Sequence, residues 1–136
     1  MIYHRCSRCG KRVESGKRCE CVNRIRHREY DRASRNKEAK QFYHSRAWVM
    51  LRQKVMNDCD GIDLFELYVY NRVRHADTVH HIITLEDDKS KGLDEMNLIP
   101  VSSSNHNLIH AEYDKGGQYK ENMQRLLRRA RLDYQA

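Results

Sequence analysis

Histidines whose spacing suits a metal site are concentrated in the second half of the chain. His106 and His110 are four residues apart in a predicted helix, and His80 lies on an extended stretch before it. Side chains four residues apart share one face of a helix, as a two-histidine metal site requires. Three imidazoles would leave coordination positions open for water and substrate oxygens, which is typical of a catalytic site. The sequence therefore predicts a divalent metal centre at these residues.

Four of the five cysteines form two close pairs near the N-terminus, and these residues are Cys6, Cys9, Cys19 and Cys21. Two such pairs separated by a short loop fit a tetrahedral zinc site. Gly10 follows the first pair and suits the positive φ that such a turn often needs. The segment has almost no large apolar residues, so a metal would have to organise it. We therefore expect residues 1–22 to form a zinc-binding module and Cys59 to be a lone thiol.

Positive charge is concentrated in the first part of the chain. Residues 1–58 contain 16 Lys and Arg against 6 Asp and Glu, whereas residues 59–136 contain 10 against 13. This asymmetry indicates a polyanionic partner, most plausibly nucleic acid. Residues 23–44 read as a basic arm, either a solvated helix or a flexible segment. No apolar run is as long as a membrane span, and no secretory signal is visible at the start, so we expect a cytoplasmic protein without membrane contact.

Residues 45–136 combine helix and strand signals. Capping serines and apolar residues at helical spacing indicate helices, whereas alternating or β-branched stretches indicate strands. The predicted elements are a helix from Ser45 to near Asn57 with Trp48 in the core, a strand at 62–70, extended stretches at 78–83 and 97–101, a helix carrying His106 and His110, and a final amphipathic helix.

Three segments of this half resemble the ββα-metal motif of HNH endonucleases. They are Thr78-Val79-His80-His81-Ile82-Ile83, Asn97-Leu98-Ile99-Pro100 and Asn105-His106-Asn107-Leu108-Ile109-His110. The stretch 42–48 also resembles the helix that precedes this motif in many phage-encoded HNH proteins. The resemblance implies an α+β fold in which residues 45–136 form the nuclease domain, with the ββα motif at about 78–113.

The resemblance also implies a role for each residue of the predicted site. His81 matches the general base that takes a proton from the attacking water, and Asn97 matches the residue that ties down the hairpin loop and helps to orient that base. His80, His106 and His110 match the metal ligands. Consecutive strand residues point to opposite faces. His80 and His81 can therefore serve one site only if the strand twists or bulges there.

The sequence departs from the family in one coherent way. Many HNH proteins carry two Cys-x-x-Cys pairs that hold a structural zinc around the motif. Here the positions of the second pair are Ser102 and Asn105, and residues 64–68 contain no cysteine. We therefore expect no zinc beside the motif, and packing to hold this part of the fold. Arg74, just upstream of the histidine pair, is a candidate contact for the scissile phosphate.

The implied activity is divalent-metal-dependent hydrolysis of DNA phosphodiester bonds, as a nick or a double-strand break. Imidazoles bind zinc or nickel tightly and magnesium prefers oxygen ligands, so Mg, Mn, Zn and Ni are not distinguished. By resemblance the chain is phage-encoded, acts in the host cytoplasm, and has phage terminase subunits as candidate partners. The alternatives are a non-catalytic zinc-containing DNA-binding or packaging accessory protein, a structural zinc protein whose histidines close a site with a fourth ligand, and a bacteriocin-type toxin.

Overall fold

The computed structural model describes residues 2–7, 9–21 and 37–135, and the chain divides into two compact units, Met1–Phe42 and Tyr43–Ala136. Arg8 and most of the expected basic arm at 23–44 lie outside the described residues. Helices are combined with two small antiparallel sheets, so the predicted α+β class is confirmed. None of the helices in the described ranges has both the length and the apolarity that a membrane span requires.

The first unit contains a short hairpin of β1 (Tyr3–Arg5) and β2 (Arg12–Glu14). The turn between these strands carries the first cysteine pair. Its backbone is closed by a hydrogen bond of 2.9 Å from the Gly10 N–H to the Cys6 carbonyl oxygen. Gly10 has a φ of 75°, as the sequence predicts, because this turn needs a left-handed residue that glycine adopts without steric cost.

Residues 37–44, the described end of the expected basic arm, are helical, and α1 (Arg46–Asp58) follows after Ser45. The Ser45 hydroxyl accepts a hydrogen bond of 3.2 Å from the Trp48 N–H, so the predicted N-cap is confirmed. Trp48 and Val55 lie on the buried side of the helix. The chain then turns through Asp60 and Gly61, which both have positive φ.

The strand predicted at residues 62–70 is wrong, because this segment forms helix α2 (Leu64–Tyr70). The Asp63 side chain accepts a hydrogen bond from the Glu66 N–H, as in the start of a capping box. Asn71 then ends the helix in the left-handed conformation with a φ of 52°. Alternation over so short a run fits a strand as well as a helix. The two caps therefore decide the conformation that the apolar pattern leaves open.

The second unit continues with a hairpin and two helices. These elements are β3 (Thr78–His81), β4 (Leu98–Val101), α3 (Ser103–Lys115) and α4 (Gly117–Gln135). The strands pair antiparallel with His80 opposite Ile99 and Val79 opposite Pro100. The Ser102 hydroxyl accepts the Asn105 N–H and caps α3, and Gly116 ends this helix. The expected ββα order is therefore present.

Fully buried apolar side chains from the hairpin and from both following helices form the core beneath this motif. They are Ile82, Leu98, Ile99, Val101, Ile109 and Leu127. Burial of a large aliphatic side chain contributes about 1.5–3 kcal/mol to folding. The hairpin and α3 are therefore held together by a continuous apolar core, and this core sets the distance between their histidines.

A buried polar cluster includes Ser102 and Asn105, the two positions that the family resemblance matches to a cysteine pair. The Asp63 carboxylate accepts hydrogen bonds of 2.7 Å from the Ser102 N–H and from the Asn105 side-chain amide, which also reaches Glu66 at 2.8 Å. All four residues are buried. We expected packing to hold this region. The structure shows that hydrogen bonds between the N-termini of α2 and α3 contribute as well.

Candidate active site

Three histidines from β3 and α3 meet at one point. The candidate ligand atoms of His80, His106 and His110 all lie within 4.8 Å of one another. His80 is almost fully buried on the strand, and the other two are half-buried on the helix. The Nε2 atoms of His106 and His110 are 3.0 Å apart. The sequence spacing and the hairpin therefore bring together the three side chains predicted to bind a metal.

The distances within this cluster fit a shared divalent ion. Two nitrogens that bind one ion at about 2.1 Å lie roughly 3–3.4 Å apart when they occupy neighbouring coordination positions. The 3.0 Å between His106 and His110 agrees with this separation. The His80 ring centroid lies 5.3 Å from the His106 ring and 5.1 Å from the His110 ring, edge to face. These residues could hold a metal without rearrangement of the backbone.

Electrostatics keep the cluster in the form that binds metals. The pKa of His80 is lowered to about 3, mainly by burial and also by the neighbouring His110 and His106. Burial is also the main cause that lowers the pKa of His106, with His110 adding to it. Only a neutral imidazole has a lone pair for a metal. Both histidines are therefore ready to act as ligands at neutral pH.

His81 lies next to His80 in the chain but has different neighbours. Its Nε2 is 3.0 Å from the Gly92 carbonyl oxygen, so this nitrogen carries the hydrogen and donates it. Its ring stacks on Trp48 and meets the Tyr43 ring at an angle. Burial lowers the pKa of His81, and the hydrogen bond to Gly92 acts in the opposite direction. The strand pairs without a bulge at this point, with His80 opposite Ile99 and His81 opposite Leu98. His81 is therefore a neutral, oriented imidazole that follows His80 in the strand and is not a member of the cluster.

Asn97 connects the end of β3 to the loop that carries Gly92. Its side-chain oxygen accepts the Ile83 N–H at 2.8 Å. Its amide nitrogen donates to the carbonyl oxygens of Ile83 at 2.9 Å and Lys91 at 3.1 Å. The carbonyl oxygen that receives the His81 hydrogen bond belongs to the residue after Lys91. Asn97 therefore holds the loop at the point where the loop contacts His81.

A comparison with solved structures finds a protein that is similar to this chain. The chain is similar to the HNH endonuclease of the deep-sea thermophilic bacteriophage GVE2, whose crystal structure contains a manganese ion. The two share 36% identity with a TM-score of 0.58, over 64% of this chain and 94% of that one. The chain belongs to the HNH endonuclease family. No sequence model of a protein family and no curated protein matches it.

Arg74, the predicted phosphate contact of this HNH protein, lies on the exposed segment between α2 and β3. Its Nη1 is 4.0 Å from the Glu66 carboxylate, which also pairs with Arg72 at 2.9 Å. Glu66 in turn receives the Asn105 amide, and Asn105 directly precedes His106. The structure thus links Arg74 to the start of the helix that carries two of the three clustered histidines.

A second candidate metal centre lies in the first unit. The sulfur atoms of Cys6, Cys9, Cys19 and Cys21 all lie within 4.8 Å of one another. The Sγ atoms of Cys6 and Cys21 are 3.5 Å apart, as are those of Cys9 and Cys19. Sulfurs bound to one zinc at 2.3 Å would lie about 3.8 Å apart in a tetrahedron. The four cysteines therefore fit the metal-binding module that their spacing predicts.

Sequence reasoning missed several neighbours of the HNH histidines. The Tyr113 hydroxyl donates a hydrogen bond of 2.6 Å to the Ile82 carbonyl oxygen and lies 3.3 Å from the His80 Nε2. Tyr113 comes three residues after His110, so helical spacing could have placed it on the same face. Gly92 and Trp48 had no such signal as partners of His81, because they contact it only through the tertiary fold.

Proposed function

We propose that this protein is a divalent-metal-dependent HNH endonuclease that hydrolyses DNA phosphodiester bonds. The observation that carries the proposal is the joint presence of a three-imidazole cluster and a neighbouring anchored histidine. His80, His106 and His110 would hold the metal, and His81 would act as the general base. A structural zinc site needs only the cluster, whereas hydrolysis also needs a base beside it. This supports a nuclease over a purely structural role for the histidines.

The chemistry assigned to His81 follows from its hydrogen bond. Because Nε2 carries a hydrogen toward the Gly92 carbonyl, a proton from water is accepted at Nδ1. The water oxygen then bonds to phosphorus, the bond from phosphorus to the 3′ oxygen breaks, and that oxygen takes a proton from solvent. The family resemblance implies a 5′-phosphate and a 3′-hydroxyl as products. A bound metal ion supplies stabilisation of the negative charge that develops on the phosphate and on the leaving oxygen.

The proposal divides the chain into three parts. Residues 1–22 would form a zinc-binding module, residues 23–44 a basic arm that approaches the DNA backbone, and residues 45–136 the nuclease domain. The excess of positive charge in the first half supports this division. Arg74 would contact the scissile phosphate. We also propose that the protein is encoded by a phage and binds terminase subunits. This part of the proposal rests on the family resemblance.

The experiment that tests the catalytic proposal is cleavage of supercoiled plasmid DNA over a series of Mg²⁺, Mn²⁺, Zn²⁺ and Ni²⁺. We expect metal-dependent cleavage that falls by about 100-fold or more in His81→Ala, since a general base contributes 10²–10⁴-fold. His75→Ala is the matched control, because His75 is exposed. Undiminished cleavage by His81→Ala would reject the mechanism. DNA binding without cleavage under every metal would support an accessory protein instead.

Metal content distinguishes the two proposed centres. We expect His106→Ala with His110→Ala to lose stoichiometric Mn²⁺ binding in calorimetry, because two of three ligands are removed. The double histidine variant should keep its zinc at the cysteines. The double variant Cys9→Ser with Cys19→Ser should lose that zinc. Cys59→Ser is the control, because Cys59 is buried in the second unit and is not part of the cysteine cluster. Zinc retained by the double cysteine variant would contradict the N-terminal site.

A further inference from the structure

Trp48 provides a flat surface against the ring of His81. The two ring centroids are 4.8 Å apart and the planes are inclined by only 22°, which is a stacked arrangement. Trp48 lies on α1, outside the hairpin and α3 that form the ββα motif, and is only 4% exposed. Its burial excludes a role in stacking on DNA bases. The indole therefore meets the site through its stack on His81.

The hydrogen bond to Gly92 does not by itself determine the orientation of the His81 ring. The outer torsion of a histidine side chain is broad, so one hydrogen bond at Nε2 still permits the ring to pivot about that contact. A flat aromatic surface against one face restricts this pivot. Tyr43 adds a third constraint, because its ring meets His81 at 6.2 Å and Trp48 at 5.5 Å, both edge to face. Three contacts in different directions define one ring position.

We propose that Trp48 is a positioning residue for the general base, because its indole holds the His81 imidazole in the plane required for proton transfer. This inference rests on the proposed function, since it takes His81 to be the base. A misplacement of a reacting group by about 1 Å can cost about 100-fold in rate. The helix before the ββα motif thus contributes to catalysis without contact with the substrate or the metal. A Trp48 that only fills the core would contribute volume but no orientation.

The test compares two substitutions that differ in the shape of the side chain. Trp48→Phe keeps a flat ring, whereas Trp48→Met keeps an apolar and flexible chain; both leave a smaller side chain in the core. We expect kcat for plasmid cleavage with Mn²⁺ to fall by about 10- to 100-fold in Trp48→Met and by less than about threefold in Trp48→Phe. KM and Mn²⁺ affinity should change less than about twofold in both variants. If the Met variant does not fold, Trp48→Leu replaces it.

A double-mutant cycle separates this inference from the proposed function. If Trp48 acts through His81, Trp48→Met should add no further loss of kcat in a His81→Ala background. Multiplicative losses would overturn the positioning role, and so would equal kcat values for Trp48→Phe and Trp48→Met. Full activity of His81→Ala alone would instead reject His81 as the base. The two failures are therefore distinguishable.

Nuclear magnetic resonance gives a readout that does not depend on activity. In the wild-type protein we expect the nitrogen shifts of neutral His81 to show hydrogen on Nε2, in agreement with the bond to Gly92. In Trp48→Met we expect the hydrogen to stay on Nε2, because the pivot keeps the bond to Gly92, but we expect exchange broadening of the carbon-bound ring protons of His81 as the ring samples several orientations. Trp48→Phe should keep these signals sharp. Sharp His81 ring signals in Trp48→Met would contradict the inference.

Discussion

Removal of the Asn97 side chain tests whether the hairpin loop positions His81, the proposed general base. Asn97→Ala deletes the three hydrogen bonds to Ile83 and Lys91 but keeps the main-chain bond from the Ile82 N–H to the Asn97 carbonyl. An intramolecular hydrogen bond contributes about 1 kcal/mol net. Because Ile83 and Lys91 are only half-buried, water can replace part of the loss. We therefore expect the free energy of unfolding to fall by about 2–3 kcal/mol.

The same change should reduce catalysis more than metal binding. Asn97 holds Lys91, and the next residue, Gly92, accepts the hydrogen bond from His81. A loosened loop displaces that acceptor, so we expect kcat to fall by about 10- to 100-fold. His80, His106 and His110 make no hydrogen bond to Asn97 among those found in the described structure, and Mn²⁺ affinity should change by less than about threefold.

Asn97→Asp is the matched variant for this prediction. It keeps an oxygen for the Ile83 N–H but places a second oxygen against the carbonyls of Ile83 and Lys91. The result should be at least as destabilising as Asn97→Ala, since two acceptors cannot hydrogen-bond each other. Urea unfolding gives the stability, and plasmid cleavage with Mn²⁺ gives kcat. A loss of stability below about 0.5 kcal/mol, or unchanged kcat in a destabilised Asn97→Ala, would refute the reasoning.

Three further predictions concern other buried groups. Tyr113→Phe removes the hydroxyl beside His80 and should lower Mn²⁺ affinity about tenfold by calorimetry, as changes beside a ligand commonly do; unchanged affinity would contradict this. Asp63→Ala removes three hydrogen bonds from buried donors and should cost about 3 kcal/mol or more in urea unfolding, against less than about 0.5 kcal/mol for Glu112→Ala in a surface ion pair. In metal-free protein, the lowered pKa of His80 means that the unfolded chain binds a proton below about pH 6.5 while the folded chain does not. The free energy of unfolding should therefore fall as the pH decreases, by about 2 kcal/mol from this group at pH 5, and His80→Ala should remove that part of the slope.

The nature of the site could be predicted from residues close in sequence. The i, i+4 pair on α3 depends only on helical geometry, and the serine caps at Ser45 and Ser102 depend on contacts three residues apart. Gly10 followed from the turn that a cysteine pair needs. Such signals are readable because local backbone geometry alone determines which side chains meet.

The strand assigned to residues 62–70 shows where a local pattern is insufficient. The seven residues Leu64–Tyr70 fit the spacing of a strand as well as that of a helix. The caps Asp63 and Asn71 favour the helix. Asp63 also has a second role that its own segment does not reveal. Its other oxygen binds Ser102 and Asn105, which lie 39 and 42 residues away.

The sequence by itself determined the residue types of the three-histidine cluster, the order of the ββα elements and the grouping of the four cysteines, because each of these depends on short spacings. Only the tertiary structure decided how His81, the proposed base, is held. Gly92, Trp48 and Tyr43 reach His81 from a loop, from α1 and from the residues before α1. Contacts of this kind depend on how buried surfaces pack, and packing is set by the whole core rather than by any short motif.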